Sequence, residues 1–191
     1  MLPYTDVPIQ RRLFSNCEKA RTWYSHLNNY PGLFGAAANS SEKYVTSIGV
    51  PPLAQSKLQQ SGFYTPYGAF PVILANHSVG LVWYNNMLRG PAMQGPYGSN
   101  ESGDNDGKAT SNNVSWDTKQ TTVVAILGGI GKIVREALKE DCKYQMFYDR
   151  IDASYSKQFP KLLGEEIPFA LPSVTAPHNV GREDFTLCQS K

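Results

Sequence analysis

Apolar residues recur every three or four positions in four long stretches of this chain, a spacing typical of amphipathic α-helices. The connections between these stretches are long and rich in glycine, proline, asparagine and aromatic residues, which interrupt helices. We therefore predict an all-α fold in which helical hairpins alternate with long loops that converge at one end. The helical stretches cover residues 9–27, 69–88, 123–138 and 142–159.

Short-range signals predict where some of these helices begin. Asp6 is a candidate N-cap for the first helix, with Pro8 in its first turn. Asp117, three residues before Gln120, is a candidate cap for the third helix. The adjacent glycines at 128–129 weaken that third helix, and we expect a neighbouring helix to pack closely against them.

The length of 191 residues suits one domain over residues 1–191, with an irregular, proline-rich tail over residues 160–191. The formal net charge is only +2, and no run of lysine or arginine indicates nucleic acid or a membrane surface as a partner. Cys17, Cys142 and Cys188 lie far apart and lack metal-ligand spacing. No phosphate-binding loop is present, so we predict neither a cofactor nor a metal.

Four Asn-x-Ser sequons are potential glycosylation sites if the protein is secreted by a eukaryote. The first residues, MLPYTDVPIQRR, contain no apolar segment typical of a signal peptide. The sequons nevertheless favour an extracellular glycoprotein, which we state as an expectation. They begin at Asn39, Asn76, Asn100 and Asn113.

Three short strings occur in a defined order: GVP at residues 49–51, PYGA at 66–69 and YGSNE at 97–101. Their order and spacing resemble the C-terminal half of the glucoamylase-like glycoside hydrolases, a group similar to the endo-β-1,2-glucanases. The resemblance covers residues 44–135. It implies part of an (α/α)6 toroid of paired helices, with a glucan-binding cleft at the loop end and β-1,2-glucan among the candidate substrates. The chain is too short for a whole toroid, which implies either a homo-oligomer or a missing complementary half.

Glycoside hydrolysis requires two carboxyl groups, one to protonate the leaving oxygen and one to act as a base or nucleophile. Glu101 follows a Tyr-Gly turn on a loop expected at the cleft, and we interpret it as the candidate acid. The alternative is a solvated loop glutamate crowded by a glycan on Asn100. Asp117 is the second candidate carboxylate, for which the alternative is a helix cap.

Aromatic residues make up 12% of the chain, and aromatic faces beside polar groups suit stacking on sugar rings. We interpret the aromatic residues on predicted turns, and the one beside Asp117, as candidate substrate-binding residues. His77 and Trp83, on the apolar face of the second predicted helix, are interpreted as core residues. The candidate substrate-binding residues are Tyr64, Tyr67, Tyr97 and Trp116.

Three functions remain open from the sequence. A glycoside hydrolase requires Glu101 and Asp117 to face one cleft with the turn aromatics. A non-catalytic carbohydrate-binding or interaction protein derived from such a fold retains the aromatics without a working carboxylate pair. A helical protein with no role in sugar chemistry has its aromatics buried.

Overall fold

The computed structural model describes residues 3–59 and 62–177, and within them the chain is mainly helical. The prediction of an all-α fold with long loops is confirmed. Short 3-10 helices cover Pro3–Asp6, Pro51–Leu53 and Pro66–Ala69. The α-helices are α1 (Pro8–Leu27), α2 (Phe70–Ala75), α3 (His77–Met87), α4 (Trp116–Ile126), α5 (Gly131–Glu140) and α6 (Tyr144–Gln158).

Four two-residue strands connect the loops to one another. β1 (Ala37–Ala38) pairs antiparallel with β2 (Tyr44–Val45), and Ala38 lies opposite Tyr44. β3 (Phe63–Tyr64) pairs antiparallel with β4 (Gly103–Asp104). These ladders are too short to form a layer of their own, and their role is to hold loops that are distant in sequence against each other.

The first helix begins at Pro8 as predicted, but its N-cap is Val7, so the assignment of Asp6 as the cap is wrong. The Asp6 carboxylate instead accepts two 2.6 Å hydrogen bonds from the Arg135 guanidinium and a 2.8 Å bond from the Tyr144 hydroxyl. Asp6 therefore joins the start of α1 to α5 and α6.

The helix predicted over residues 69–88 is broken at Asn76, which is extended (φ −149°, ψ 101°). Asn76 Oδ1 accepts a hydrogen bond from Val79 N and caps α3, which explains why the chain restarts there. The next turn brings Gly80 against α2, where a Cβ would lie 2.3 Å from Ile73 N. Only a glycine allows α3 to fold back this closely on α2.

The helix predicted across residues 123–138 is also broken, because Gly128 and Gly129 adopt left-handed φ angles of 89° and 79°. The expectation of a tightly packed helix at this pair is wrong. A Cβ on Gly128 would meet nothing within 4 Å, and one on Gly129 would meet only Leu74 Cδ2, at 3.1 Å. The two glycines therefore form the turn between α4 and α5.

The main hydrophobic core lies where α2 and α3 meet α4 and the loop before β3. Trp83 and Met87 of α3 are fully buried there with Val72 of α2, which confirms Trp83 as a core residue. His77 is exposed, so its assignment to the core is wrong. Its Nε2 lies 3.2 Å from the carbonyl oxygen of Ile126, at the end of α4.

Residues 160–177 contain no helix or strand, yet side chains of α1 and α3 hold their backbone. Trp23 Nε1 donates a 2.8 Å hydrogen bond to the carbonyl of Pro168, and Trp83 Nε1 donates a 2.9 Å bond to that of Ala170. Arg12 forms a two-bond contact with the Glu165 carboxylate. The rest of the predicted tail, residues 178–191, lies outside the described residues.

Within the described part of the chain, no helix combines the length and apolarity that crossing a membrane requires. Cys17 and Cys142 are free thiols, and Cys188 lies outside the described residues. Across residues 3–59 and 62–177, no group of three or more His, Cys, Asp or Glu side chains has an arrangement that could hold a metal ion.

Candidate active site

Glu101 is a buried carboxylate in the loop between α3 and α4, with only 6% of its surface exposed. Its Oε2 atom accepts a 2.8 Å hydrogen bond from the backbone N–H of Ala38 in β1. Its Oε1 atom accepts no hydrogen bond from any described residue. One carboxylate oxygen is therefore anchored while the other remains available, and the interpretation of Glu101 as a solvated loop glutamate is wrong.

The backbone around Glu101 is fixed by pairing with a segment ten residues further along the same loop. Glu101 N donates a 2.8 Å hydrogen bond to Asn113 O, and Ser111 N donates a 3.0 Å bond to Ser102 O. The Ser102 hydroxyl donates to the carbonyl of Ala38, at 2.5 Å. Both backbone groups of Ala38 thus hold this loop, the N–H through Glu101 and the carbonyl through Ser102.

Asp117 lies in the first turn of α4, and its side chain is exposed. The N-cap of α4 is Ser115, so the interpretation of Asp117 as a helix cap is wrong. A carboxylate in a first helical turn is favoured by the helix dipole without having to cap. Its carboxylate is therefore available for other interactions.

Lys119 links the two candidate carboxylates electrostatically. Burial lowers the pKa of Lys119, and the negative charges of Glu101 and Asp117 oppose that effect. Its Nζ donates a 3.2 Å hydrogen bond to Thr118 Oγ1, and its aliphatic chain lies against Gly98, where a Cβ would stand 3.2 Å from Lys119 Cε. The Tyr97–Gly98 turn, Glu101 and Asp117 are therefore grouped around one half-buried cation.

Tyr67 faces the same two carboxylates from the Pro66–Ala69 helix. Burial raises the pKa of Tyr67, and Glu101 and Asp117 are among the charges that act on it. Arg21 of α1 fixes this turn, because its Nη2 donates to the carbonyl oxygen of Gly68 while the guanidinium lies over the Phe34 ring.

A cavity of about 590 Å³ opens beside Tyr67, between α1 and the segment 46–58. Tyr67, Phe34 and Phe70 provide aromatic walls, and Arg21 provides charged donors. Its volume falls within the usual range of small-molecule sites, about 300–1,000 Å³. The cavity therefore extends the concave surface that begins at the carboxylates.

The four predicted substrate-binding aromatics do not share one environment. Tyr97 and Trp116 are 83% and 75% exposed, and Tyr67 is half-buried with its ring stacked on Phe70. Tyr64 is fully buried in the main core, so its assignment to substrate binding is wrong. Pairing of β3 with β4 draws Tyr64 inward, and its position beside a turn in the sequence carries no signal of this burial.

Sequence reasoning missed Tyr44 and Lys119. Tyr44 is 59% exposed and lies opposite Ala38, the residue whose amide holds Glu101. Only the strand register reveals this position. Lys119 follows Asp117 by two residues, but its placement beside Glu101 depends on the fold of the intervening loop.

This arrangement combines one anchored buried carboxyl, one exposed carboxylate, a cation and solvent-facing aromatic rings. Two carboxyl groups of this kind are the requirement for acid-assisted cleavage of a glycosidic bond. Exposed rings beside polar groups suit sugar faces.

The family model described as Endo-beta-1,2-glucanase SGL matches residues 1–189 of this chain. Two similar solved structures come from Talaromyces funiculosus: a glutamate-to-glutamine mutant of an endo-β-1,2-glucanase with β-1,2-glucan, and an endo-β-1,2-glucanase with sophorose. Each is 40% identical to this chain with a TM-score of 0.89, over 98% and 97% of this chain respectively and 39% of the other chain. The chain thus spans about two fifths of the length of these solved relatives. No curated protein matches it.

Proposed function

Because this chain belongs to the endo-β-1,2-glucanase SGL family, we propose that it acts in the hydrolysis of β-1,2-glucan with Glu101 as the general acid. The observation that carries this proposal is the state of the Glu101 carboxyl group. It is buried, held at Oε2 by the Ala38 amide, and free of protein donors at Oε1 within the described residues. A general acid needs such a fixed group with one oxygen directed to the substrate.

In the proposed reaction, the proton on Glu101 Oε1 passes to the glycosidic oxygen as the bond from that oxygen to the anomeric carbon breaks. A water molecule forms the new bond to that carbon and gives its proton to Asp117, which acts as the base. The Lys119 ammonium stabilises the negative charge that Glu101 carries after it has lost its proton. The sum is one water consumed and one glycosidic bond cleaved.

Exposed aromatic rings supply the binding surface in this proposal. Tyr97 and Trp116 flank the two carboxylates and are available for stacking on glucosyl units. Tyr67 continues the surface into the 590 Å³ cavity beside Arg21. An endo-acting enzyme holds several units on both sides of the cleaved bond, which an extended surface of this kind supports.

The experiment is hydrolysis of β-1,2-glucan by the purified chain, followed by release of reducing ends, with β-1,3-glucan and α-1,4-glucan beside it. Glu101→Gln and Asp117→Asn retain size and remove acid or base. Glu165→Gln is the matched control, because it removes a carboxylate paired only with α1. We expect β-1,2-glucan to be cleaved and both site variants to lose activity by a factor of about 100 or more. An active Glu101→Gln variant would exclude Glu101 as the acid.

A non-catalytic carbohydrate-binding protein is the second candidate function. The observation that favours it is the span of the chain, about two fifths of the solved relatives. Binding of sophorose or β-1,2-glucan by calorimetry, without release of reducing ends and without an effect of Asp117→Asn, would support this function. Loss of both binding and turnover would exclude both candidates.

We also propose that the chain forms part of an (α/α)6 toroid, and that helices of a complementary half cover its open face. An apolar surface on α4, the following turn and α5 supports this, because Leu127 and Ile133 are 78% and 71% exposed. The solved relatives contain about three fifths more chain than this one aligns with. Co-expression with the remaining segment of such a relative should give a stable complex, and Leu127→Glu with Ile133→Glu should abolish it. Self-association by sedimentation that the same variants abolish would instead identify a second copy.

An extracellular location and glycosylation complete the proposal. Asn76 Oδ1 is occupied as the α3 cap, whereas Asn100 Nδ2 and Asn113 Nδ2 donate to Ser111 O and Glu42 Oε2. The Asn76 amide nitrogen is therefore the most available of these three acceptors. Secretion from a eukaryotic host followed by enzymatic deglycosylation and mass spectrometry should show a mass loss at Asn76. An unmodified secreted protein would argue against this part of the proposal.

A further inference from the structure

The β1–β2 hairpin, residues 37–45, contacts the loop that carries Glu101 at two separate points. At the base of the hairpin, Ala38 binds Glu101 Oε2 through its N–H and the Ser102 hydroxyl through its carbonyl. The Ala38 N–H points away from β2 and makes its hydrogen bond to Glu101 alone among described acceptors. The position of the Glu101 carboxylate therefore depends on where the hairpin sits.

At the tip of the hairpin, the Glu42 carboxylate accepts three hydrogen bonds from consecutive residues of the same loop. Oε1 accepts from Asn112 N at 2.8 Å, and Oε2 accepts from Asn113 Nδ2 at 2.5 Å and from Ser111 Oγ at 3.3 Å. No lysine or arginine of the described residues forms a salt bridge with Glu42. Its hydrogen bonds are charge-assisted, and such bonds are about twice as strong as neutral ones.

The segment bound by Glu42 is also the segment that holds the Glu101 backbone. Asn113 O accepts from Glu101 N at 2.8 Å, and Ser111 O accepts from Asn100 Nδ2 at 2.6 Å. Glu42 is thus connected to Glu101 from one side through residues 111–113, while Ala38 contacts it from the other. Glu101 lies inside a closed frame whose two ends belong to one hairpin.

We propose that Glu42 is a positioning residue that keeps Glu101 Oε1 directed towards the glucan. The inference rests on the proposed role of Glu101 as the acid, and it adds a residue about 60 positions away in sequence. A catalytic group that shifts by about 1 Å can lose 100-fold in rate, so a fixed frame has a direct effect on turnover. Glu42 touches neither substrate nor reacting atoms in this scheme.

The test uses the full chain and two variants of Glu42. Glu42→Gln keeps the size but replaces an acceptor oxygen by a donor group. Glu42→Gly removes the carboxylate and suits the left-handed backbone, because φ at this residue is 58°. Glu165→Gln is the control, since it removes an exposed carboxylate that contacts only α1.

The first readout is hydrogen exchange of individual backbone amides by NMR, which does not depend on activity. We expect exchange at Asn112 and at Ala38 to accelerate about tenfold or more in both Glu42 variants and to remain unchanged in the control. Faster exchange at Asn112 with unchanged exchange at Ala38 would overturn the proposal, because the effect would then end before reaching Glu101. Unchanged exchange at both amides would overturn it as well.

The second readout is the split between kcat and KM on β-1,2-glucan. Misplacement of the acid should lower kcat about tenfold or more at nearly constant KM, whereas loss of a substrate contact would raise KM. If wild type is inactive, the proposed function fails, and the exchange experiment still decides whether Glu42 positions Glu101. A normal kcat in a variant with altered exchange at Ala38 would overturn the positioning role.

Discussion

Gly80 of α3 lies directly against the backbone of Ile73 in α2, so that a Cβ at position 80 would stand 2.3 Å from the Ile73 nitrogen. We expect Gly80→Ala to lower the free energy of unfolding by about 1–3 kcal/mol, because two helices that meet backbone to backbone must separate. Alanine is the better helix former by about 1 kcal/mol, so the sign of the effect tests the contact itself. Urea denaturation gives the measurement.

Gly131 provides the matched control for this substitution. It opens α5, and a Cβ there would meet nothing within 4 Å. Gly131→Ala should leave stability unchanged or raise it slightly. Equal effects at positions 80 and 131 would contradict the close contact between α2 and α3.

Tyr64 carries a buried hydroxyl that has no hydrogen-bond partner among the described residues. Because an unsatisfied buried polar group costs about 1–3 kcal/mol, Tyr64→Phe should leave stability unchanged or increase it. Activity should also be retained, since Tyr64 is fully buried in the core. Thermal unfolding and the glucan assay measure the two effects, and a loss of sugar binding at unchanged stability would restore Tyr64 to the site.

Asp6 should make stability depend on acid pH. The hydrogen bond from Arg135 lowers the pKa of Asp6 below its usual value of 3.8, with burial opposing and Tyr144 adding to the effect. A carboxyl group whose pKa is lower in the folded state stabilises the fold above its unfolded pKa, and that contribution is lost as the pH falls through the folded value. We expect Asp6→Asn to lower the melting temperature at neutral pH, and the difference from wild type to vanish below about pH 3.

Asp149→Asn is the control for this pH series, because Asp149 is exposed on α6 and accepts a bond only from Gln145. Its melting temperature should follow wild type at every pH. A difference between Asp6→Asn and wild type that persists unchanged at pH 2 would show that the ion pair is not its source.

Tyr97 and Trp116 should contribute to sugar binding and little to stability. Each exposed ring that stacks on a glucosyl unit contributes about 0.5–1.5 kcal/mol, so Tyr97→Ala and Trp116→Ala should weaken β-1,2-glucan binding about threefold to tenfold. Leu127→Ala, on the exposed face of the α4–α5 turn, controls for loss of apolar surface elsewhere. Calorimetric titration measures the change, and equal binding by all three variants would exclude the two aromatics from the site.

The helical character of the fold follows from local spacing, but the breaks in the helices do not. Pro8 marks the start of α1 because a missing N–H costs nothing in a first turn. Asn76 interrupts an apolar stripe that looks continuous, and its effect depends on a cap at Val79 and on Gly80 reaching Ile73. Such contacts combine local chemistry with a fold-back that periodicity does not encode.

The two carboxylates of the site could be identified from the sequence because one follows a Tyr-Gly turn and the other opens a helix. Their surroundings could not, because Ala38 and Glu101 are 63 residues apart. The strand register that puts Tyr44 opposite Ala38 is equally invisible in a pair of two-residue strands. Burial separated the turn aromatics, since β3 drew Tyr64 inward while Tyr97 remained in solvent.

The irregular segment after α6 is held mainly through its carbonyl oxygens, which accept from Trp23, Trp83 and Asn86 among others. Every residue type has a carbonyl oxygen, so these bonds do not depend on which side chains the segment carries. Its amino-acid sequence can therefore diverge widely while its course along α1 stays the same. In this part of the molecule, evolutionary constraint falls on the helices that provide the donors.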